Sequence, residues 1–398
     1  MSKFSSTDYD VVVCGAGPAG LMAACTFARQ TGGARRVLLL DKKEPWKEPI
    51  FCAEAVSTAR LNALWPVCSS WVRGCISGIY FTSPKGYRAE FYSENCGLLL
   101  NRSLFHHAMA DACARASVEC HFDTLVKKVF RRNGIWSIDV VNDGEVESIS
   151  AKVVIDASGP GSKLTHGVSC VEGIESGDTD LEHALFAVVE GVEHSREHIE
   201  LFFGSEFPDG YGWLFPRDGV EVNIGFVLGK NSSQGVSLRD KLRKFIESHY
   251  PGARIKAIYG GMIACGQSLR PIAKCGLFKA GDAASCVNPI SRSGIVESLL
   301  CGKLVAEASV EWLAAKTDAE RLVVESDVFK RWMNVQGKSH LQIAKAKPKF
   351  GKITDEQFDR AAEKLSKIPR EKATLWRIFF TVLSACPSLI WKMRSFLR

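Results

Sequence analysis

The first apolar run of the chain is short and continuous, and it covers residues 9–14. A run of this length without polar alternation is typical of a buried parallel strand. A second run, 37–40, has the same character, and the segment 21–28 between the two has the composition of a helix rich in small apolar residues. The pattern therefore predicts a strand, a helix and a second strand at the start of the chain.

Two further strands are predicted much later in the sequence. Residues 153–155 form an apolar run that enters a turn of small residues, and residues 276–280 form another that ends before a helix start. A different pattern follows residue 210, where aromatic side chains alternate with other residues, which places them on one face of a strand. An amphipathic helix is predicted after residue 102.

A glycine-rich loop joins the first strand to the first helix. Its first glycine permits a tight turn, the second lets the backbone approach a pyrophosphate, and the third lets the helix pack closely on the strand. The positive end of the helix and its free N–H groups then face the phosphate charge. The loop consists of Gly15, Ala16, Gly17, Pro18, Ala19 and Gly20.

The acid at the end of the second strand completes a dinucleotide-binding pattern. Asp41 follows Gly20 by 21 residues, the spacing at which a ribose hydroxyl partner is expected, and Lys42 comes directly after it. The alternative interpretation of Asp41 is a solvated strand end. Strand, helix, second strand and acid in one register favour a dinucleotide site.

The choice between FAD and NAD depends on the later strands. Asp156 ends one of them, and Gly281 and Asp282 follow the other, where a carboxylate can accept hydrogen bonds from a ribityl chain. Backbone N–H groups near Gly294 and Ile295 are expected to meet a flavin ring. A dehydrogenase that binds only NAD has no use for this remote second element, although Asp282 can also be read as a helix cap. The pattern predicts FAD as the cofactor.

Composition excludes several other classes of protein. The chain has 398 residues, ordinary globular proportions and 14 scattered cysteines, with no CxxC pair, so neither a zinc site nor a redox dithiol is indicated. The first residues lack the features of a secretory signal, which predicts a cytoplasmic protein without disulfides. His106 and His107 stand in the helix after residue 102 and are expected to be half-exposed.

Charge is concentrated in the last part of the chain. Residues 330–398 contain 16 Lys and Arg against 5 Asp and Glu, a local charge of +11, so the remainder carries 7 − 11 = −4. Nothing upstream has the pattern of a nucleic-acid module. The basic segment therefore favours contact with anionic lipid or an acidic protein rather than nucleic acid.

Five motifs resemble the geranylgeranyl reductase family, within the flavoproteins similar to p-hydroxybenzoate hydroxylase. The resemblance runs from about residue 9 to about residue 307. The motifs are the glycine loop, FCAEAVS at 51–57, NRSLF at 101–105, YGWLFPR at 211–217 leading to VNIG at 222–225, and GDAA at 281–284. The resemblance implies an α/β fold, in which a Rossmann-type FAD-binding domain of the glutathione reductase kind is interleaved with an α+β substrate domain containing a large antiparallel sheet.

The resemblance also implies how the chain is divided. The FAD-binding domain is expected to contain residues 1–75, 101–165 and 271–315. The substrate domain is expected to contain 76–100 and 166–270. Residues 316–398 then form a basic helical region with a candidate membrane-interface segment at 374–398.

By the same resemblance, Arg102, Val126, Cys52 and Ala53 contact the FAD. Cys52 is also a candidate acid, base or redox group near the flavin, because a thiol with a lowered pKa can exchange protons near neutral pH. Its alternative role is that of a small buried apolar residue. The chain departs from the family where Ala53 and Ala55 replace glycine and where Arg292 stands in a segment that is glycine-rich in the family. Glu54 is a candidate for binding the flavin or polarising a neighbour.

The aromatic strand is the candidate substrate site. Tyr211, Trp213 and Phe215 alternate along it and Arg217 follows. An aromatic face beside a flavin suits a polyprenyl chain, which offers only apolar area; the alternative is an ordinary hydrophobic core.

The tail permits two interpretations. The uncharged stretch 378–391 has 14 residues and contains a proline, so it is shorter than the ~20 residues that span a bilayer. A helical pair lying in the membrane interface is one interpretation, with the basic residues of 345–352 adding attraction to lipid. A helix docked over the substrate pocket is the other.

The resemblance implies an FAD-dependent oxidoreductase acting on a CH–CH group: it reduces double bonds of a geranylgeranyl-type chain on a lipid, quinone or pigment. A flavin monooxygenase or halogenase of the same fold is the second interpretation, and a non-enzymatic prenyl-binding escort is the third. The chain has no second glycine loop for a nicotinamide cofactor. The expected electron donor is therefore NAD(P)H that docks transiently or a ferredoxin-like protein.

Overall fold

The buried runs predicted near the amino terminus form neighbouring strands of one sheet. The computed structural model describes residues 4–174, 181–233, 235, 237–266 and 271–368. The strands are β1 (Asp8–Cys14), β2 (Val37–Leu40), β3 (Ala55–Ser57), β4 (Val72–Thr82), β5 (Arg88–Leu100), β6 (Glu119–His121), β7 (Thr124–Arg132), β8 (Ile135–Asn142), β9 (Glu145–Asp156), β10 (Leu181–Glu190), β11 (His198–Phe202), β12 (Tyr211–Pro216), β13 (Glu221–Leu228), β14 (Arg254–Ala264), β15 (Ala273–Lys274) and β16 (Leu277–Lys279). The helices are α1 (Pro18–Gln30), α2 (Thr58–Asn62), α3 (Arg102–Arg115), α4 (Leu238–His249), α5 (Ile295–Ala314), α6 (Asp318–Trp332), α7 (Lys338–Phe350) and α8 (Asp355–Ser366).

The chain divides into two compact units, each drawn from three segments. The first unit comprises the described residues of Met1–Ile50, Arg102–Leu181 and Ile263–Leu341. The second comprises Phe51–Asn101, the described residues of Glu182–Met262, and those from Gln342 onward. Residues 51–75 cluster with the second unit because β3 and β4 both pair with β5. The candidate membrane segment 374–398 lies outside the described residues.

The sheet of the first unit has the order β15-β16-β9-β1-β2-β6, and the hairpin β7–β8 joins it through β8 and β9. From β16 to β6 each neighbouring pair is parallel. Parallel strands end at the same edge, and at this edge Cys14 lies beside both Leu40 and Asp156, with Lys279 beside Asp156. Ligands of open α/β sheets bind at this carboxyl edge.

The sheet of the second unit has the order β14-β10-β13-β12-β11-β4-β5-β3. One of its faces packs against α4 and forms the hydrophobic core of the unit, which includes Leu214, Ile224, Phe226 and Phe245. Leu214 stands between Trp213 and Phe215 on β12, so those two side chains point to the opposite face.

Candidate functional site

The glycine loop leaves an open space at the amino end of α1. A Cβ on Gly20 would lie 1.8 Å from the carbonyl oxygen of Gly15, which itself has a φ of +106°, so helix and turn are in close contact there. A Cβ on Gly17 would meet no atom within 4 Å. Pro18 begins the helix directly after it. Backbone N–H groups at a helix start that borders free space fit a pyrophosphate, so the residues present suit the predicted dinucleotide.

Asp41 is fixed against this loop rather than solvated. Its Oδ2 accepts a hydrogen bond from the backbone N–H of Ala16 at 2.6 Å, and its Oδ1 accepts one from that of Lys43 at 3.1 Å. Each carboxylate oxygen has a second lone pair, so the group can still accept a bond from a ribose hydroxyl. Lys42 is exposed next to it. The ribose role of Asp41 stays a prediction.

Arg102 begins α3 and is held by His106, for which the predicted half-exposed position is wrong. His106 is buried, not half-exposed; only His107 is exposed. The His106 Nδ1–H donates to the carbonyl of Pro45 at 2.7 Å, and its Nε2 accepts from the Arg102 guanidinium at 2.8 Å. Burial, with the charge of Arg102 beside it, lowers the pKa of His106 to about 3. The neutral ring therefore orients Arg102; the i, i+4 spacing on one helix is the signal that could have revealed it.

Two acidic residues, the half-buried Asp282 and the fully buried Glu297, lie before and within the first turn of α5. Asp282 follows β16, and Glu297 lies in the first turn of α5, where its Oε2 accepts a hydrogen bond from the Ser293 hydroxyl at 2.9 Å. Gly294 caps this helix and Ile295 begins it. Burial raises the pKa of Asp282 to about 6; the charge of Arg102 lowers it and that of Glu297 raises it. Glu297 belongs to no motif and was therefore not among the predicted site residues.

The raised pKa of Asp282 predicts that the FAD-free protein loses stability as the pH rises. The folded-state pKa of Asp282 lies above its unfolded value, so the native state binds more protons between about pH 4 and 6 and loses stability as the pH rises through that window. The Asp282→Asn protein should therefore gain stability relative to wild type by on the order of 2 kcal/mol between pH 4 and pH 7. Urea titrations of both apoproteins at several pH values measure this difference, and a constant difference would contradict the assignment.

Two other predicted cofactor residues face the interior of the first unit. The carboxylate of Asp156 is buried, and it accepts hydrogen bonds from the hydroxyls of Ser158 and Ser162, each at 2.7 Å. Lys279 Nζ lies 3.5 Å from its Oδ2 and is fully buried. The Asp156 carboxylate therefore stabilises the turn that follows β9. Val126 on β7 packs against the core of the unit. Contact of either residue with FAD stays a prediction.

Cys52 and Ala53 lie in the second unit, in the loop before β3. The Cys52 sulfur accepts from the Glu54 N–H at 3.2 Å, and the Cys52 carbonyl accepts from the Asn223 amide at 3.1 Å. The buried carboxylate of Glu54 lies 3.4 Å from Arg73 Nε and 3.2 Å from Arg217 Nη2. Arg217, which was predicted to bind substrate, is therefore paired with Glu54 in this unit.

The predicted aromatic strand has its three rings in one row. The ring centroids of Tyr211 and Trp213 are 6.1 Å apart, and those of Trp213 and Phe215 are 6.2 Å apart. Tyr211 is half-buried and the other two are buried. Cross-strand register extends this face through Phe186 on β10, Gly225 on β13, Leu201 on β11 and Phe81 on β4, all in line with Trp213. We name the surface formed by these four residues together with Tyr211, Trp213 and Phe215 the aromatic face.

One surface cleft of the first unit lies away from the predicted cofactor site. A surface cleft of about 570 Å³ lies at the amino ends of β1 and β2, the edge opposite the glycine loop. Arg35 in it pairs with Asp10, and Glu119 in it pairs with His121. In the part of the chain that the structure describes, no group of three His, Cys, Asp or Glu is placed to hold a metal, and no helix is long and apolar enough to cross a membrane.

Comparison with known proteins identifies the family. The sequence pattern of the family described as FAD dependent oxidoreductase matches residues 10–249. The digeranylgeranylglycerophospholipid reductase of Methanosarcina acetivorans is 29% identical over 395 residues, which cover 97% of this chain and 95% of that protein.

Solved structures support the fold. A geranylgeranyl bacteriochlorophyll reductase-like protein from Thermoplasma acidophilum superimposes with a TM-score of 0.88 at 22% identity, over 98% of this chain and 99% of that one. A triple mutant of a flavin-dependent brominase gives a TM-score of 0.70 at 18% identity, over 95% of each chain. The predicted fold class, the family resemblance and FAD as the cofactor are confirmed.

Proposed function

Because the chain belongs to the FAD dependent oxidoreductase family, we propose that it reduces carbon–carbon double bonds of a geranylgeranyl-type chain on a lipid, quinone or pigment. The observation that carries the proposal is the likeness, over nearly the whole of both chains, to a protein named as a digeranylgeranylglycerophospholipid reductase. The aromatic face supports it independently.

The first unit supplies the residues that would hold the cofactor. Gly17 and the start of α1 would receive the pyrophosphate, Asp41 the ribose, and Asp282 the ribityl chain, with Arg102 oriented by His106. Bound FAD, once reduced, supplies a hydride. What the protein adds is orientation of the acceptor and exclusion of water, since an isolated double bond is a poor hydride acceptor.

The aromatic face supplies the surface that a prenyl chain needs. Trp213 and Phe215 are buried on the face opposite the hydrophobic cluster that includes Leu214. Polyprenyl chains present apolar area alone, and aromatic side chains offer large apolar surfaces with little conformational freedom to lose. Reduction of a double bond also needs a proton, and the Cys52 thiol is the candidate donor in this unit.

The proposal also includes an electron donor for the flavin and a place of action at the membrane. NAD(P)H docking transiently or a ferredoxin-like protein would reduce the flavin, and the enzyme would work at the membrane surface, where its lipid substrate resides. One basic residue of the segment 345–352 is already engaged, because Lys347 Nζ lies 2.6 Å from the buried carboxylate of Glu182. Lys347 would therefore add little to the attraction of this segment for lipid.

Product analysis tests the proposal. Protein reduced anaerobically with dithionite is incubated with a lipid that carries geranylgeranyl chains, and the product is weighed by mass spectrometry. We expect a gain of about 2 Da, one hydride and one proton, for each double bond reduced. The matched control is the Gly17→Ala protein, which should be free of flavin. An oxygenated or halogenated product formed only in air would favour the monooxygenase or halogenase, and wild-type protein purified without flavin would favour the escort.

A further inference from the structure

Asn223 is a fully buried polar side chain in the middle of the second sheet. It stands on β13, where its neighbours Val222 and Ile224 belong to the hydrophobic core on the other face. Its cross-strand partners are Val188 and Phe215. An amide in this position costs stability unless both of its ends are hydrogen-bonded, so its presence calls for a physical reason.

Both ends of the amide have partners that fix its orientation. The Trp213 indole N–H donates to Asn223 Oδ1 at 2.9 Å, and Asn223 Nδ2 donates to the carbonyl of Cys52 at 3.1 Å. An indole nitrogen only donates and a carbonyl only accepts, so the amide can be placed in one way alone. Asn223 thus ties the centre of the aromatic face to the backbone of a residue 171 positions earlier in the chain.

Trp213 is itself held firmly. A Cβ on Gly225 would lie 2.5 Å from Trp213 Cζ2, so the indole packs directly against the bare backbone of β13 at this glycine. The Cys52 loop is tied at a second point by the ion pairs of Glu54, which has a φ of +75°. The ion pairs involve the Glu54 side chain, whereas the Asn223 hydrogen bond joins the aromatic face to the backbone of Cys52 itself.

We propose that Asn223 is a positioning residue that sets the place of the Cys52 thiol relative to the aromatic face. The amide accepts from a rigid indole and donates to the Cys52 carbonyl, so the thiol and the wall formed by Trp213 keep one spacing. The consequence for catalysis rests on the proposed function. The position of the Cys52 thiol does not depend on the proposed function, and it can be tested without a prenyl substrate.

The two hydrogen bonds of Asn223, to Trp213 and to the Cys52 carbonyl, form a bridge between these residues. Two variants distinguish the effect of this bridge from the effect of packing alone. Asn223→Leu keeps the volume and removes both hydrogen bonds. Asn223→Asp keeps both when its carboxyl is protonated, because the O–H donates to the Cys52 carbonyl and the C=O accepts from Trp213. Ionisation removes the donor and places a negative charge beside a carbonyl oxygen. Burial raises the pKa of such a carboxyl, so the bridge should be intact near pH 6 and broken near pH 8.5.

The experiment measures alkylation of Cys52 by iodoacetamide in the FAD-bound protein, with the peptide quantified by mass spectrometry. Each rate is divided by the wild-type rate at the same pH, and the half-buried Cys96 serves as internal reference. We expect Asn223→Leu to react about 10-fold faster at Cys52 at both pH values. Asn223→Asp should match wild type at pH 6 and react about 10-fold faster at pH 8.5. Trp213→Phe, which keeps the bond to Cys52, should stay within about 3-fold of wild type.

Several outcomes would overturn the proposal. Relative alkylation rates of Asn223→Asp that do not change with pH would do so, and so would an equal change at Cys96. Because the Asn223→Asp effect is read as a reversible pH change in one sample, it remains decisive if Asn223→Leu fails to fold. If the Cys52 rates change as expected and no prenyl chain is reduced by wild type, the positioning role stands and the proposed function fails.

Discussion

A Gly17→Ala protein is expected to fold as wild type does and to lose FAD. The new Cβ would meet no protein atom within 4 Å, and the backbone of Gly17 has a φ of −70°, which alanine adopts without strain. The free energy of unfolding of the apoprotein should therefore stay within about 0.5 kcal/mol of wild type. The same Cβ would occupy the space into which a pyrophosphate must come, so the FAD dissociation constant should rise about 100-fold, equivalent to about 2.8 kcal/mol.

Gly20→Ala is the matched control, with the opposite result. Its Cβ would lie 1.8 Å from the carbonyl oxygen of Gly15, so either α1 or the turn must move. We expect a loss of more than about 3 kcal/mol in unfolding free energy, since overpacking against backbone has little room to relax. Flavin titration and urea unfolding of the two apoproteins give both quantities. FAD affinity in Gly17→Ala equal to that of wild type would show that the loop does not hold the pyrophosphate.

A Lys279→Met protein is expected to lose about 3–5 kcal/mol of unfolding free energy. Lys279 and Asp156 are both fully buried, with Nζ 3.5 Å from Oδ2, and removal of one partner leaves a buried charge without its counter-ion. The serine hydroxyls on Asp156 compensate only in part. Lys303→Met is the control, because Lys303 pairs with Glu307 on the partly exposed surface of α5 and its loss should cost less than about 1 kcal/mol.

Urea unfolding of the two lysine variants tests this ion pair. Equal losses in the two variants would mean that the buried pair contributes no more than a surface pair. A large loss at Lys279 would identify the Asp156 carboxylate as a structural group of the turn after β9. Its predicted role in cofactor binding would then rest on the backbone of that turn rather than on the side chain.

Local patterns were enough to predict the strands and the helix that carry the candidate nucleotide-binding residues. The strands β1 and β2, the start of α1 and the place of Asp41 all follow from residues close together in the sequence, because a βαβ unit is built from short-range contacts. The alternation of Tyr211, Trp213 and Phe215 likewise predicted one shared face, as strand geometry requires.

The rest depended on contacts between distant segments. Lys279 meets Asp156 only because β16 lies beside β9, and Asn223 meets Cys52 only because the loop before β3 passes beside β13. His106 was misplaced because a polar side chain in a helix is normally exposed, and burial of this ring is favoured by its two hydrogen bonds to Pro45 and Arg102. No periodicity in the sequence encodes these partners.

Anaerobic reoxidation of the flavin tests the central claim, that bound FAD serves to reduce a prenyl double bond. The purified protein is reduced with dithionite and the excess dithionite is removed. A geranylgeranyl lipid is then added without oxygen, and the absorbance of oxidised flavin at about 450 nm is followed. We expect the absorbance to return with the geranylgeranyl lipid and to stay low with the fully saturated lipid. A flavin that stays reduced with both lipids and is reoxidised only when air enters would contradict it.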